Sequence, residues 1–592
     1  MESFPSVLRT KQDVVMHLTK PFSALALSVA AAASLACTAE IAQDPMAAGQ
    51  AGSSSTPTGG SGNNPSGGSG GSVGVDPLTC GPEPAKVRAP MRRLTRLEYN
   101  NTVRDLLKDK SLPANAFPSE ESGNGFGNDA DAQNVTATLV ENYVSVAEKV
   151  AATAVDSAEI VARWGCIGQA ADATAETACV RTIVEAFGPE AWRRPLESGE
   201  ADGLVALFTE VRELSTFKES VAAVFEAILQ SPEFLYKPEF GVDAAGRPGV
   251  KQPTAYEMAT RLSYMFWASA PDDALRQAAA SGALLTPEGV RTQAERLLAD
   301  PRTREVMTFF FDNLLPIQSL SHLEREKERY PKFSAKIGSL LRTETQTFLN
   351  EEIFSGPGKW PGVFTAPYTY VNEELAAYYG LSGVTGETFQ KVMLDPSTGR
   401  GGLLTQAGVL AGPVHSNEPN PVVRGAFVLQ KIMCKPVPKP TGDIAAQVTP
   451  PDPNGAATAR QRYTVHTTNP VCKACHINMD PIGYALENFD PIGQWRDQEN
   501  GVTIDPVVTV PALGEVKNPL ELGQRLAESE ETQQCLATQW MNFGYGRTLK
   551  DTEACGVQSV RSTFKESGYD VKEMLIALTQ SDAFLTLPAE RE

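Results

Sequence analysis

Residues 95–107 read TRLEYNNTVRDLL, a helix-start signal followed by a regular apolar pattern that recurs along the chain. Thr95 and Glu98 have the spacing of a capping box, in which each side chain satisfies a free backbone N–H at the start of a helix. The apolar residues that follow recur at the spacing of one helix face: Tyr99, Val103, Leu106 and Leu107. The stretch therefore predicts a helix that packs one face into a core.

The same device recurs further along the chain, where Thr254 and Glu257 precede a second apolar stripe. Residues 227–235 (AILQSPEFL) are echoed by residues 577–585 (ALTQSDAFL), which predicts two related helical modules. Asn500-Gly501 is a hairpin-turn dipeptide followed by β-branched residues up to Val510. These patterns predict a mainly α, multi-domain helical protein with a small β-hairpin.

Composition shifts along the chain divide it into segments. We predict a signal segment at 1–37, a linker at 38–85, helical domains at 88–150 and 155–240, a central helical domain at 250–390, a domain holding a Cys-x-x-Cys-His segment at 398–500, and a C-terminal helical domain at 501–590.

The N-terminus resembles an export signal. Residues 16–20 are a short basic region, and residues 21–36 form an apolar run that ends in small residues. Ser34-Leu35-Ala36-Cys37 is similar to a lipobox, so we expect lipid anchoring through Cys37 and a place as a periplasmic or outer-membrane lipoprotein, with plain secretion as the alternative. The Gly/Ser-rich tract behind Cys37 predicts a flexible tether.

The net charge restricts the expected partners. Acidic residues outnumber basic ones by 71 to 52, which gives a formal charge of −19. This balance argues against nucleic acid as a partner and is compatible with a cationic redox partner protein, whose identity stays unknown.

Residues 472–476 read CKACH, the motif that carries chemistry. The Cys-x-x-Cys-His spacing places two thiols for addition to the vinyl groups of one haem and an imidazole as proximal ligand of the iron. We therefore expect covalent haem c on Cys472, Cys475 and His476. A structural zinc site, a thioredoxin-like redox pair and a local disulfide are the alternatives.

The residues after the motif predict a haem pocket. Two copies of Asp-Pro-Ile-Gly, at 480–483 and 490–493, predict two tight turns around a short helix. Tyr484 and Trp495, with Phe489 between them, are the expected pocket walls.

The sixth iron ligand has several candidates. Met479 lies too close to His476 in the chain to reach the opposite face of a porphyrin, whereas His415, His466 and Met541 lie on separate segments. The alternative for each of these histidines is a hydrogen-bonded surface or core side chain that binds no metal.

An exported protein keeps its disulfides, so the six remaining cysteines are expected to pair. Cys166 with Cys179 and Cys535 with Cys555 close short loops and are preferred among the 15 connectivities open to six thiols. Cys80 with Cys434 follows by elimination.

Several segments together resemble a known family. They are RRLTRLEYNNTVRDLL at 92–107, the stretch 187–196, LSYMFW at 262–267, RGGLLTQ at 400–406, and the segment around CKACH. In this order they resemble the planctomycete- and myxobacterial-type secreted cytochrome-c-like proteins, which carry a string of adjacent domains of unknown function.

The resemblance covers nearly all of residues 90–585. It implies haem at the CKACH segment, marks His415 and His466 as family-type positions, and implies the pairing of Cys535 with Cys555. The family's usual Ser or Thr before Pro421 is Asn420 here, which puts a role for that hydroxyl in doubt. The family has no established reaction.

Three functions follow from these features. The first is an exported c-type haem protein of periplasmic or cell-surface electron transfer. The second is a haem enzyme, a peroxidase- or oxygenase-like oxidoreductase acting on an extracellular substrate, because the long helical portion before the motif exceeds what a simple carrier needs. The third is a haem-free surface binding lipoprotein with zinc or a disulfide at Cys472 and Cys475.

Overall fold

The computed structural model describes residues 90–121, 123, 125–248, 250–414, 418–437, 458–464, 470–549 and 553–587. The expected signal segment, Cys37, Cys80 and the Gly/Ser-rich tract lie outside the described residues. No helix in the described ranges is both long and apolar enough to cross a membrane.

The prediction of a mainly α protein is confirmed. The helices of the N-terminal part are α1 Arg96–Leu107, α2 Ala137–Asp156, α3 Ala158–Arg163, α4 Ala173–Trp192, α5 Glu200–Arg212, α6 Phe217–Gln230 and α7 Pro232–Leu235. Those of the middle part are α8 Ala255–Trp267, α9 Asp273–Ala280, α10 Pro287–Ala299, α11 Thr303–Leu314, α12 Ala335–Asn350, α13 Trp360–Thr365, α14 Glu373–Tyr379 and α15 Ala407–Ala411.

The C-terminal part contains α16 Pro421–Phe427, α17 Ala459–Tyr463, α18 Pro470–Tyr484, α19 Pro519–Glu528, α20 Glu530–Tyr545, α21 Ala554–Glu566, α22 Val571–Thr579 and α23 Asp582–Leu585. Two π-helical segments, Glu351–Ser355 and Val428–Ile432, extend α12 and α16.

Within the described ranges, every strand belongs to an antiparallel pair. The pairs are β1 Arg92–Arg93 with β2 Tyr236–Lys237, β3 Val242–Asp243 with β4 Lys251–Gln252, β5 Tyr368–Val371 with β6 Gln390–Met393, β7 Gln498–Glu499 with β8 Val502–Thr503, and β9 Val508–Val510 with β10 Gly514–Val516. The predicted hairpin is confirmed, because β7 and β8 flank Asn500-Gly501, both with positive φ.

Both predicted capping boxes are present. At α1 the Thr95 hydroxyl accepts the Glu98 N–H, and the Glu98 carboxylate accepts the Thr95 N–H. Thr254 and Glu257 repeat these two bonds at α8. The two helices therefore begin where the sequence places their starts.

The echoed segments also have matching structures. In each module a longer apolar helix is followed by a short helix, which Ser231 or Ser581 caps. Phe234 and Phe584, in the two short helices, are buried. Each module is then followed by an antiparallel bridge. Lys237, three residues after Phe234, pairs with Arg92, three residues before the capping Thr95. Leu587, three residues after Phe584, pairs in the same way with Lys251, three residues before Thr254. The two modules thus share one local design.

Two large hydrophobic cores and one small cluster lie within the described residues. The first core is built mainly from the helices between residues 94 and 235, with Tyr264 and Ala270 added, and the second is a continuous cluster mainly between residues 258 and 584. Phe126 crosses from the first part into the second core, where it stacks on Phe310 with a centroid separation of 5.3 Å. The motif segment belongs to the larger, second core.

The disulfides are only partly as predicted. Cys166 bonds Cys179, as expected, but the predicted pairs Cys535–Cys555 and Cys80–Cys434 are wrong, because Cys535 bonds Cys434. Cys555 is also disulfide-bonded, though not to Cys535.

The physical reason is tertiary packing. A preference for short loops weighs only the entropy of loop closure. Helix α20 packs against the π-helical segment 428–432, and this contact sets the Cys535 sulfur beside Cys434, 101 residues earlier in the chain.

Candidate functional site

The CKACH motif lies in the first half of helix α18, which runs without interruption from Pro470 to Tyr484. The turn predicted at 480–483 is therefore wrong, since Asp480-Pro481-Ile482-Gly483 is helical. The second copy does turn: Gly493 has φ 74°, and the Asp490 carboxylate accepts the N–H groups of Ile492 and Gln494. Identical residues thus adopt two structures, and packing decides between them.

Helix α18 crosses α16 at very close range. A Cβ atom on Gly483 would lie 1.9 Å from the Pro421 carbonyl oxygen, and one on Gly425 would lie 1.9 Å from that of Met479. Only glycine allows two backbones to approach this closely. The contact fixes α18 against the core and keeps it helical past Pro481.

Asn420 starts the partner helix. Its side-chain oxygen accepts the N–H of Val423 at 3.1 Å, so the amide caps α16. Residue 420 therefore starts this helix without a hydroxyl group.

The two motif cysteines are both free thiols and both half-buried. Cys472 and His476 are four residues apart and so occupy one face of α18, with Cys475 beside them. The helix therefore presents the three side chains in the order that the motif requires.

His476 has a defined partner inside the protein. Its Nδ1 lies 2.9 and 3.1 Å from the two carboxylate oxygens of Asp480. The Asp480 side chain is fully buried, and that of His476 is 17% exposed. The ring is therefore held from the protein side, through Nδ1.

Tyr484 continues the same series, four residues after Asp480 and largely buried. Burial, and then the carboxylates of Asp480 and Glu487, raise the pKa of its phenol. The guanidinium of Arg460, on α17, lies 5.5 Å from the centre of the Tyr484 ring. Helix α17 therefore covers the end of the motif helix.

A second carboxylate near this end of the helix is also buried. Glu487 accepts the N–H of Arg460 at 2.7 Å, and burial raises its pKa to about 7. Glu499 accepts the N–H of Ala459 at 2.6 Å and pairs with Arg462 at 2.8 Å. Carboxylates at the first N–H groups of α17 fix this short helix beside α18.

Arg424 organises the loop that follows the motif helix. Its buried guanidinium donates to the carbonyl groups of Leu410, Leu486, Phe489 and Asp490 at 2.6 to 3.2 Å. Burial, and then the nearby Arg496, lower the pKa of Arg424 to about 10. One side chain from α16 therefore holds the loop between α18 and the second Asp-Pro-Ile-Gly turn.

Trp495 is positioned by contacts outside the motif helix. It packs edge-to-face on Phe489 at 5.2 Å, lies against Gly399, and donates its indole N–H to Asp497 at 3.0 Å. Of the two expected pocket walls, the structure places Tyr484 on the motif helix, while Trp495 stands on the following loop.

The ligand candidates fall into two groups. His415 and His466 lie outside the described residues. Met541 is fully buried in α20. Met479, which the sequence analysis excludes as a ligand, is 5% exposed on α18 itself.

The zinc alternative has fewer ligands than the sequence suggested. Among the described residues, no three or more His, Cys, Asp and Glu side chains form a group that could hold a metal ion. Cys434, one of the ligands considered for zinc, is bonded to Cys535.

Sequence reasoning missed two residues of the site. Asp480 was assigned to a turn, although its spacing of four from His476 would have marked it as a helical partner had the helix been extended past Pro481. No sequence pattern marks Arg424 as part of the site, because the carbonyl groups that accept its hydrogen bonds lie up to 66 residues away in the chain.

Five family profiles match the chain, each described as a protein of unknown function. They are DUF1587 over residues 92–156, DUF1595 over 179–239, DUF1592 over 254–381, DUF1588 over 400–499 and DUF1585 over 514–584. The motif helix lies within the DUF1588 match. No curated protein and no solved structure matches the chain.

Proposed function

We propose that this chain, which carries the five adjacent domains of unknown function of the planctomycete cytochrome-c-like set, is an exported c-type haem protein that transfers electrons in the periplasm or at the cell surface. One observation supports this most: two free, half-buried thiols and an imidazole lie together on helix α18.

These residues fit a covalently attached haem. Cys472 and Cys475 would each add across a vinyl C=C bond, so that one vinyl carbon gains the S–C bond and the other gains the thiol hydrogen. His476 would ligate the iron through Nε2, since Nδ1 is bonded to Asp480. The haem would supply one-electron redox chemistry.

The protein contributes a rigid support for the attachment residues. The close crossing of α16 and α18 fixes the helix that carries all three attachment residues. Tyr484 would provide an apolar wall on the same helix, Trp495 one on the loop that follows, and His415 or His466 would supply a sixth ligand.

A haem enzyme is the second candidate. The buried carboxylate behind His476 favours it, because an anionic partner makes the imidazole a more basic ligand and stabilises oxidised iron. Carbon monoxide added to the reduced protein separates the two candidates. Rapid binding would indicate an open coordination position and favour the enzyme, whereas an unchanged spectrum would favour the carrier.

Covalent haem is tested by producing the chain in a host with a cytochrome c maturation system. We expect a band that stains for haem on a denaturing gel, and loss of the stain in Cys472→Ala and Cys475→Ala. Lys473→Ala is the matched control, because this exposed residue lies between the two cysteines. A colourless wild-type protein without covalent haem would refute the proposal and leave the haem-free binding protein.

We also propose that the chain is exported and anchored through a lipid on Cys37. The basic start, the apolar run and the lipobox-like residues 34–37 support this. Labelled fatty acid should be incorporated into the wild type and not into Cys37→Ser; equal labelling of both would refute the anchor.

A further inference from the structure

We propose that Asp480 is a positioning residue for the iron ligand: its carboxylate holds the His476 ring by Nδ1 and makes the imidazole a stronger electron donor, which lowers the reduction potential of the site. The inference rests on the proposed haem at His476. It adds a residue and a direction of tuning that the attachment motif does not contain.

The geometry of the pair is well defined. Both Asp480 oxygens lie within hydrogen-bond distance of His476 Nδ1, at 2.9 and 3.1 Å. The two residues are one turn apart on α18, so the helix backbone sets their separation. Gly483, three residues after Asp480, is locked against the Pro421 carbonyl. The carboxylate therefore sits on a stretch of helix that has little freedom to shift.

The burial of Asp480 needs an explanation. Moving a carboxylate out of water is unfavourable unless the carboxylate is paired or hydrogen-bonded. Within the described part of the chain, the Asp480 carboxylate is hydrogen-bonded to Nδ1 of His476. Its other titratable neighbours include the phenols of Tyr463 and Tyr484, which carry no positive charge. An aspartate kept in this place is explained by what it does to the imidazole.

The chemistry follows from the roles of the two ring nitrogens. A carboxylate acceptor fixes the proton on Nδ1 and leaves the lone pair on Nε2 for the metal, and it raises the basicity of that nitrogen. A more basic ligand stabilises oxidised iron more than reduced iron. Hydrogen bonding to the axial ligand is one of the levers by which a protein sets a haem potential.

The test compares holoprotein variants by spectroelectrochemical titration. In Asp480→Asn we expect the ratio of reduced to oxidised protein at a fixed applied potential to rise at least tenfold, which is about 59 mV for a one-electron couple. Asp480→Glu, which restores a carboxylate, should recover part of the shift. The matched control is Asp490→Asn, in the second Asp-Pro-Ile-Gly copy, where the side chain caps backbone N–H groups; it should leave the potential unchanged.

The outcomes separate this inference from the proposed function. Wild-type protein without covalent haem refutes the proposed function. Haem-loaded Asp480→Asn with the wild-type potential refutes the role of Asp480 alone. If Asp480→Asn does not fold, NMR of the wild-type holoprotein decides. A His476 Nδ1 proton bonded to a buried carboxylate should exchange slowly with deuterated solvent, and rapid exchange would refute the inference.

Discussion

Replacement of Gly483 by alanine tests the helix crossing that positions the motif. The new Cβ would lie 1.9 Å from the carbonyl oxygen and 2.4 Å from the carbonyl carbon of Pro421. Both are backbone atoms, so no change of side-chain rotamer relieves the overlap. Because a Cβ essentially never approaches another atom closer than 3.0 Å, α16 and α18 must separate by roughly 1 Å.

Two opposing effects set the change in the free energy of unfolding that Gly483→Ala should cause. Overpacking of a core typically costs about 1–3 kcal/mol, and an overlap of backbone with side chain belongs at the upper end. Alanine in place of glycine inside a helix contributes about 1 kcal/mol in the other direction. We therefore expect Gly483→Ala to lower the free energy of unfolding by about 2 kcal/mol.

The assay is urea unfolding followed by circular dichroism, with Gly556→Ala as the matched control. Gly556 also lies inside a helix, α21, but a Cβ there would meet no atom within 4 Å. The control should be as stable as the wild type or more stable by up to about 1 kcal/mol.

Gly425→Ala is a second, independent test of the crossing between α16 and α18. Its Cβ would meet the Met479 carbonyl oxygen from the opposite helix. One separation of the helices relieves both overlaps, so the double variant should lose less stability than the two single losses added together. If Gly483→Ala is as stable as Gly556→Ala, or if the two losses simply add, the argument from close crossing fails.

Three further predictions concern other parts of the second core. Peptide mapping without reduction should recover Cys434 linked to Cys535, and Cys535→Ser should lower the free energy of unfolding by up to about 4 kcal/mol, since the bond closes a loop of 101 residues; recovery of a Cys535–Cys555 peptide would contradict the structure. Burial raises the pKa of Glu487 from 4.5 to about 7, so the folded protein keeps a proton that the unfolded chain loses, and stability falls as pH rises through this window. Glu487→Gln should flatten this part of the curve and add up to about 3 kcal/mol above pH 7, and a curve unchanged from wild type would count against the buried acid. Arg424→Lys keeps the charge but cannot serve four carbonyl groups, so we expect a loss of about 2–4 kcal/mol in urea unfolding, and a stability equal to wild type would show that the loop holds without the guanidinium.

Local features of the fold could be predicted from the sequence. The capping boxes at Thr95 and Thr254 and the turn at Asn500-Gly501 depend on residues within four positions of each other, and all three are present in the structure. The resemblance of residues 577–585 to 227–235 likewise corresponds to a shared arrangement of helix, serine cap and aromatic anchor.

The site was predictable only in part. The motif gave Cys472, Cys475 and His476, and the helix spacing brings them together. Their order along the chain requires no tertiary information. The motif did not predict Asp480 as the partner of His476, because the dipeptide Asp480-Pro481 by itself predicts a turn.

The near neighbours in the sequence therefore specify where α1 and α8 begin, where the chain turns at Asn500-Gly501, and which short motif could carry a cofactor. The tertiary structure alone decided that α18 continues through Pro481, that Asp480 faces His476, and that Cys535 bonds Cys434. The physical reason is the range of the interactions. Caps, turns and apolar stripes are specified by near neighbours, whereas backbone contact at two glycines and the meeting of two sulfurs depend on how distant helices pack.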